Sequence, residues 1–201
     1  MLRFIAWLLV HSVYRLQQKG LTNIPEEGAA VLVCNHVSFV DPIVIAAASR
    51  RPIRFVMDYR IYRTPLINFV FRHMHAIPIA PARDDAAMME AAFEAVASAL
   101  EAGELVAIFP EGKITDTGEL YPFRPGVQRI VGRTPVPVIP MALQGLWGSF
   151  FSRKDGPAMS KPLRRGMFSR IALVVGTAIV PAAATPEHLQ EVVAGLRGEW
   201  K

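Results

Sequence analysis

Six short apolar runs with helical patterns between several of them limit this chain to very few architectures. The runs are "AVLVC" (30–34), "IRFVM" (53–57), "AIPIA" (76–80), "LVAIF" (105–109), "VPVIPMAL" (136–143) and "RIALVVG" (170–176). Each has the length of a strand, and the near-continuous apolar character is that of strands covered on both faces. The clearest helix is 85–102, where Met89, Phe93, Val96 and Leu100 mark one face. Asp84 or Asp85 can cap its start, and Gly103 can follow its end. The expectation is an α/β fold, a single domain with a mostly buried mixed sheet flanked by helices. A chain of 201 residues suits one core of that kind. No repeat, low-complexity tract or linker interrupts it, and 153–168 reads as a long basic surface loop.

The first twenty residues stand apart. Over 2–17, Leu2, Ile5, Leu9, Val13 and Leu16 recur at spacings of three and four, which predicts a helix. Trp7, Leu8 and Val10 widen its apolar side, while Arg3, Arg15 and Lys19 sit at the ends. Two readings are open: an amphipathic helix lying in a membrane interface, or a helix docked on its own domain. The resulting division is 1–20 as a membrane-associating helix and 21–201 as the folded domain. Hydrophobic residues make up 52% of the chain, with a mean hydropathy of +0.29. Even so, no run approaches the roughly 20 apolar residues of a spanning helix. A secretory signal is also a poor reading of 4–10, because His11 and Arg15 break the apolar character just beyond it and no small-residue cleavage site appears. A single cysteine, Cys34, excludes an internal disulfide and fits a reducing compartment.

Charge is placed in two blocks. Arg50, Arg51, Arg54, Arg60, Arg63 and Arg72 face Asp58 alone, and Arg153, Lys154, Lys161, Arg164, Arg165 and Arg170 face Asp155 alone. Either block can be a solvated face, and together they suggest an anionic partner. Nucleic acid is not expected, because aromatic residues are not interleaved with the arginines as a stacking platform requires. An anionic membrane surface agrees better with the apolar composition.

Three stretches can carry chemistry. In "LVCNHVSFVDP" (32–42), His36 directly follows a buried run, where open α/β sheets gather ligands. Histidine is the common general base near neutral pH, and Asp41 could fix its tautomer and stabilise the imidazolium. The same residues also make an ordinary helix start, with Ser38 or Asp41 as cap and Pro42 in the first turn. In "FPEGKITDTG" (109–118), Glu111 can accept from hydroxyls, Gly112 lets backbone approach a ligand, and Lys113 offers a cation to a phosphate. In "FRPGVQRIV", Arg124 precedes a turn into a helix, a second place for phosphate. His73 and His75 have no acidic or cysteine partner at ligand spacing, so no metal is expected. Met88, Met89 and Phe93 read as core rather than as the lining of an apolar tunnel.

Taken together, "NHVSFVD", then "FPEG" some seventy residues on, then "VPVIP", resemble the glycerolipid acyltransferase family of lysophosphatidate and lysophospholipid acyltransferases. The resemblance runs from "LTNIPEEG" to "VPVIPMAL". It implies that His36 deprotonates a glycerol hydroxyl with Asp41 orienting it, and that the oxygen attacks an acyl thioester of coenzyme A or acyl carrier protein. It implies no cofactor beyond that acyl-CoA or acyl-ACP donor. Asn35, Glu111, Gly112, Lys113, Arg124 and Pro137 would then bind substrate, with Pro137 and Pro140 in a strand that lines the acyl pocket. Prolines in a strand belong at an edge or bulge. The family often reads F-P-E-G-T-R, whereas Lys113 and Ile114 follow here, and "IPIAPARDD" sets Arg83 later than expected. "EGKITDTGEL" is similar to the acyltransferase half of 2-acylglycerophosphoethanolamine acyltransferase/acyl-ACP synthetases, which leaves the head group open. The resemblance makes 21–201 an acyltransferase domain and implies a peripheral enzyme on the cytoplasmic face of the cell membrane. An acyl-thioester hydrolase and a non-catalytic lipid-binding module are the alternatives.

Overall fold

The computed structural model describes residues 2–154, 156, 158 and 169–200. In chain order the elements are α1 (Leu2–Val13), β1 (Tyr14–Lys19), β2 (Ala30–Cys34), α2 (Asp41–Ala48), β3 (Ile53–Asp58), α3 (Tyr59–Tyr62), α4 (Pro65–His73) and β4 (Ile77–Ile79). There follow α5 (Ala82–Glu101), β5 (Leu105–Ile108), α6 (Gly126–Arg133), β6 (Val138–Gln144), β7 (Ser169–Val175) and α7 (Pro186–Arg197). The strands form one seven-stranded mixed sheet in the order β1-β7-β6-β2-β5-β3-β4. Strands β2 to β6 run parallel, β7 is antiparallel to β6, and β1 is parallel to β7.

Both faces of the sheet are covered, which is why its central strands read as unbroken apolar runs. Leu32, Cys34, Leu105 and Ala107 turn to the face that carries α1 and α2, together with Val10, Val44 and Ile45. Val31, Val33 and Val106 turn to the other face, against Val96 and Leu100 of α5, Val127 and Ile130 of α6, and Leu189 and Val193 of α7. The β2–α2–β3 and β3–α3–α4–β4 connections advance in one direction across the sheet. Right-handed crossover therefore puts α2, α3 and α4 on the same side.

Helix α5 opens with a short turn from Ala82 and kinks at Asp85, where its main run begins as the sequence dictates. Asp85 has extended geometry (φ −160°, ψ 95°), and its Oδ1 accepts the Met88 N–H at 2.8 Å, so it caps the helical turns after it. Gly103, at φ +77°, closes the other end, with the Glu104 N–H returning to the Ala99 carbonyl at 3.0 Å.

Two expectations need correction. The N-terminal helix stops at Val13, and Tyr14–Lys19 forms an edge strand paired in register with β7. The helical spacing of Val13 and Leu16 runs on into β1 by coincidence, and partners 155 residues away decide the outcome. Pro140, expected at an edge or a bulge, takes the second of these places: it sits in β6, an interior strand. It is tolerated where pairing with β7 breaks off. Met141 pairs with Val175, but the next bridge joins Val138 to Ile179, and Pro140 contributes its carbonyl to the Gly176 N–H at 2.8 Å. Part of the first basic block is engaged by the protein itself, while Arg63 and Arg72 stay exposed. Arg51 donates to the carbonyls of Pro25, Gly28 and Gly103, Arg54 pairs with Glu104, and Arg60 pairs with Asp84. In the second block, Lys161, Arg164 and Arg165, and with them most of the expected 153–168 loop, lie outside the described residues.

Candidate active site

Three adjacent parallel strands, β6, β2 and β5, send their C-terminal ends to one side of the sheet, the side where loops of an open α/β sheet meet. His36 leaves β2, Phe109 to Gly112 leave β5, and residues 145–153 leave β6. The turn from β2 into α2 is fastened first. Asn35 is fully buried, and its side chain clamps the Leu143 peptide, donating to Leu143 O at 3.0 Å and accepting Leu143 N–H at 2.8 Å. Its amide is thus committed to holding β2 against β6, a structural task rather than the substrate contact expected of it.

Asp41 opens α2 but does not cap it. The cap position is Val40, and no side chain bonds the free amides of the first turn. Instead Asp41 Oδ2 turns back and accepts N–H from Val37 (2.7 Å), from Ser38 (2.9 Å) and from His36 Nδ1 (2.8 Å). Burial pushes its carboxyl up, while His36 and the two amides pull it back down. Asp41 Oδ1 is buried with no partner among the described residues. The His36 ring lies on Phe109, with centroids 4.1 Å apart and planes at 17°. Its side chain is 17% exposed, and Nε2 has no protein partner among the described residues. The arrangement is an imidazole with one nitrogen tied to a buried carboxylate and the other open, the geometry of a general base.

Glu111 does something the sequence did not indicate. Its Oε1 accepts the His36 backbone N–H at 2.7 Å and its Oε2 accepts the Tyr121 N–H at 2.8 Å, with the residue 2% exposed. Burial pushes this carboxyl up, and the two amides oppose it. Both oxygens are thus engaged in tying the His36 turn to the 119–123 segment. The Thr115 N–H closes the same junction on His36 O at 2.9 Å. Glu111→Gln keeps one acceptor but turns an amide NH₂ toward a backbone N–H. We expect it to cost about 1–3 kcal/mol of stability and to lower kcat, checked by thermal unfolding alongside steady-state kinetics.

Gly112 and Arg124 come together. Gly112 has φ +68°, and a Cβ there would lie 2.8 Å from Arg124 Cζ, so the missing side chain is what lets the guanidinium rest on this loop. The Arg124 N–H bonds Pro110 O at 3.0 Å, which anchors the base of the side chain. The guanidinium itself is exposed, with no acidic partner among the described residues. Gly112→Ala is expected to cost about 1–2 kcal/mol for the left-handed backbone alone and to displace the Arg124 guanidinium from this loop. Unchanged thermal unfolding of the variant would contradict this. Lys113 is held differently. Its Nζ sits 3.7 Å from the Tyr121 ring centroid, and the Tyr121 hydroxyl bonds Asp116.

Pro137 is not part of this assembly. It is exposed at the start of β6, where its carbonyl accepts Val31 N–H, and so lies at the opposite end of the sheet from His36, the length of β2 or roughly 13 Å away. Of the three residues read as core, Phe93 packs against the opposite layer's cluster, its ring under the Arg129 guanidinium at 4.0 Å, and Met88 and Met89 are half-buried outside both clusters. Sequence reasoning missed three participants. Phe109 was read only as a strand end, although an aromatic leading the Pro-Glu-Gly turn was a usable sign. Tyr121 gave none. The third is the 145–153 segment, whose Phe151 carbonyl accepts Phe39 N–H at 3.1 Å and whose Ser152 bridges Ser38. It straps the His36–Asp41 turn and carries Arg153 over the Phe39 ring, 5.6 Å from its centroid. Cys34 is buried, and burial, with Asp41 adding to it, pushes its thiol well up, so it stays protonated.

Residues 15–144 match the sequence profile of the acyltransferase family. Among curated proteins, the chain is 28% identical over 141 residues to the chloroplastic 1-acyl-sn-glycerol-3-phosphate acyltransferase BAT2 of Brassica napus, covering 70% of this chain and 40% of that protein. It is 24% identical over 124 residues to the 1-acyl-sn-glycerol-3-phosphate acyltransferase of Borreliella burgdorferi, covering 62% of this chain and 49% of that one. The matched region thus spans less than half the length of these relatives. Among solved structures, the chain superposes on the crystal structure of the 1-acyl-sn-glycerophosphate (LPA) acyltransferase PlsC from Thermotoga maritima with a TM-score of 0.71, at 19% identity, over 97% of this chain and 74% of that one. This last likeness is one of fold.

Proposed function

Since this chain belongs to the acyltransferase family, we propose that it moves a fatty acyl group from a thioester to the free hydroxyl of a lysophosphatidate or related lysophospholipid. The observation that carries the reading is the single imidazole at the sheet's C-terminal end, with Nδ1 2.8 Å from a buried carboxylate and Nε2 open. In this account His36 Nε2 takes the proton of the acceptor hydroxyl, while Asp41 holds Nδ1–H and stabilises the imidazolium. The oxygen attacks the thioester carbonyl carbon. Collapse of the tetrahedral adduct breaks the C–S bond, and the departing thiolate receives the proton from His36. An ester and a free thiol result, and the imidazole is neutral again. No protein nucleophile is required, in keeping with the protonated, buried Cys34.

The donor in this reading is acyl-CoA or acyl carrier protein, and the Arg124 guanidinium with the Lys113 ammonium receives the acceptor's phosphate. The names of the relatives favour 1-acylglycerol-3-phosphate, while the "EGKITDTGEL" segment favours lysophosphatidylethanolamine. The enzyme would work as a peripheral protein on the anionic cytoplasmic face of the cell membrane. Support comes from the outer side of α1, where Phe4, Trp7, Leu8 and Leu9 are exposed. Among the described residues no helix is long and apolar enough to cross a membrane. The test offers a labelled acyl thioester with lysophosphatidate, with lysophosphatidylethanolamine and with water alone. Acylated lysolipid supports the proposal and names the head group. Free fatty acid without acylated lipid would make the protein a thioesterase, and binding of lysolipid without turnover would make it a lipid-binding module.

A further inference from the structure

Exposed large apolar side chains are not spread evenly over this molecule. Besides those of α1, they include Ile43 on α2 and Phe69 on α4, on elements of the same sheet face, while Val180 and Trp200 lie elsewhere. Met74, which ends α4, packs against the same core cluster as α1 and α2. Two segments on this face also lack acidic residues. Residues 1–25 and 59–83 contain no aspartate or glutamate, and the second of these segments has four arginines and two histidines. The opposite layer is mixed, with Glu90 and Glu94 of α5 paired to Arg129 and Arg133 of α6, and Glu187 and Glu191 on α7.

Helix α4 is built to lie on a surface. Pro65, Phe69, Arg72 and His73 are all exposed, and their spacing puts them on one side. Phe69 is 65% exposed, and its ring contacts His73, whose Nδ1–H is spent on the Phe69 carbonyl of the same helix. Arg63 stacks on Tyr59, and neither it nor Arg72 has an acidic partner among the described residues.

We propose that the α3–α4 segment is a second docking element, which together with α1 lays this face of the protein on an anionic lipid bilayer. Phe69 enters the acyl boundary, and Arg63 and Arg72 meet the lipid phosphates, as in interfacial amphipathic helices. Contact at α1 alone would leave the protein free to pivot, whereas two separated contacts fix the tilt of the sheet over the surface. The proposal rests on the reading that the acceptor is a lipid.

The experiment is flotation of the full chain with vesicles of phosphatidylcholine alone or mixed equally with phosphatidylglycerol. Phe69→Ala is expected to weaken partitioning to the mixed vesicles about tenfold. Arg63→Ser with Arg72→Ser should weaken it about twentyfold there and hardly at all on neutral vesicles. Val180→Ala, which removes an exposed apolar group away from this face, should change nothing. Turnover of a short-chain lysophosphatidate with a short-chain thioester, both below their aggregation threshold, is measured on the same proteins. The α4 variants should match the wild type there. Normal flotation of the α4 variants, with loss only on Trp7→Ala and Leu8→Ala, would overturn the second element. Loss of soluble turnover in the α4 variants would overturn it too, because those residues would then serve the site. Wild-type protein that floats through α4 but turns over no substrate would leave this proposal standing and overturn the proposed function.

Discussion

Replacing His36 by alanine is expected to abolish acyl transfer, with a fall in kcat/KM of about 10⁴-fold or more, at the upper end for general acid–base catalysis. The size reflects the lack of a substitute. Among the described residues nothing else at this end of the sheet joins an open nitrogen to a buried carboxylate, and Cys34 is protonated and walled off. The fold should survive. The side chain is partly exposed and, beyond Asp41, its ring rests on Phe109, while the turn keeps its bonds through Glu111, Thr115, and the Val37 and Ser38 amides. His36→Asn retains a donor toward Asp41 and serves as a second inactive variant if alanine loosens the turn. Circular dichroism and thermal unfolding beside the assay separate lost chemistry from lost structure.

Asp41→Asn should cost less, about 10²- to 10³-fold in kcat, and for an informative reason. All three bonds to Asp41 converge on one oxygen, Oδ2. An asparagine with its oxygen in that place still accepts from Val37, Ser38 and His36 Nδ1, so turn and tautomer are kept. What disappears is the negative charge facing the imidazolium, a loss of about 3–4 kcal/mol in a buried site. The amide NH₂ would take the position of Oδ1, which has no partner among the described residues, so a modest fall in stability accompanies the change. If kcat in Asp41→Asn matched the wild type, Asp41 would be only the scaffold of the turn. A loss as large as that of His36→Ala would mean that the tautomer had been disturbed as well.

Much of the architecture was legible because burial on both faces leaves a local trace. Strand β2 occupies the same residues as the run "AVLVC", and β3, β5, β6 and β7 fall within one or two residues of theirs. Such strands are apolar whatever their partners. Strand β1, "YRLQQK", was not legible. It sits at the sheet's edge, its outer side chains are polar, and it pairs with residues 169–174. Which of its two alternatives Pro140 takes was hidden for a related reason. Its place in an interior strand depends on an interruption between Val175 and Ile179 that no local pattern announces.

At the site, local spacing joined His36 to Asp41 but could not say how. That the carboxylate serves three donors from the turn, and not the start of α2, is a matter of side-chain direction. Glu111 and Asn35 were recognised as belonging to the site but given the wrong task, because residue type shows that a group can accept a bond and not from whom. Their partners, the Tyr121 and His36 amides for one and the Leu143 peptide for the other, come from loops and strands distant in sequence. The same distance hid the 145–153 strap and Arg153.

The most direct measurement is acyl transfer from a labelled thioester to lysophosphatidate in anionic vesicles, with wild type, His36→Ala and Asp41→Asn compared at equal folded concentration. Acylated product is expected from the wild type, with a loss of about 10²- to 10³-fold in Asp41→Asn and none detectable in His36→Ala. Product formed by His36→Ala at a rate near that of the wild type would contradict a histidine base, because the base would then have to lie elsewhere.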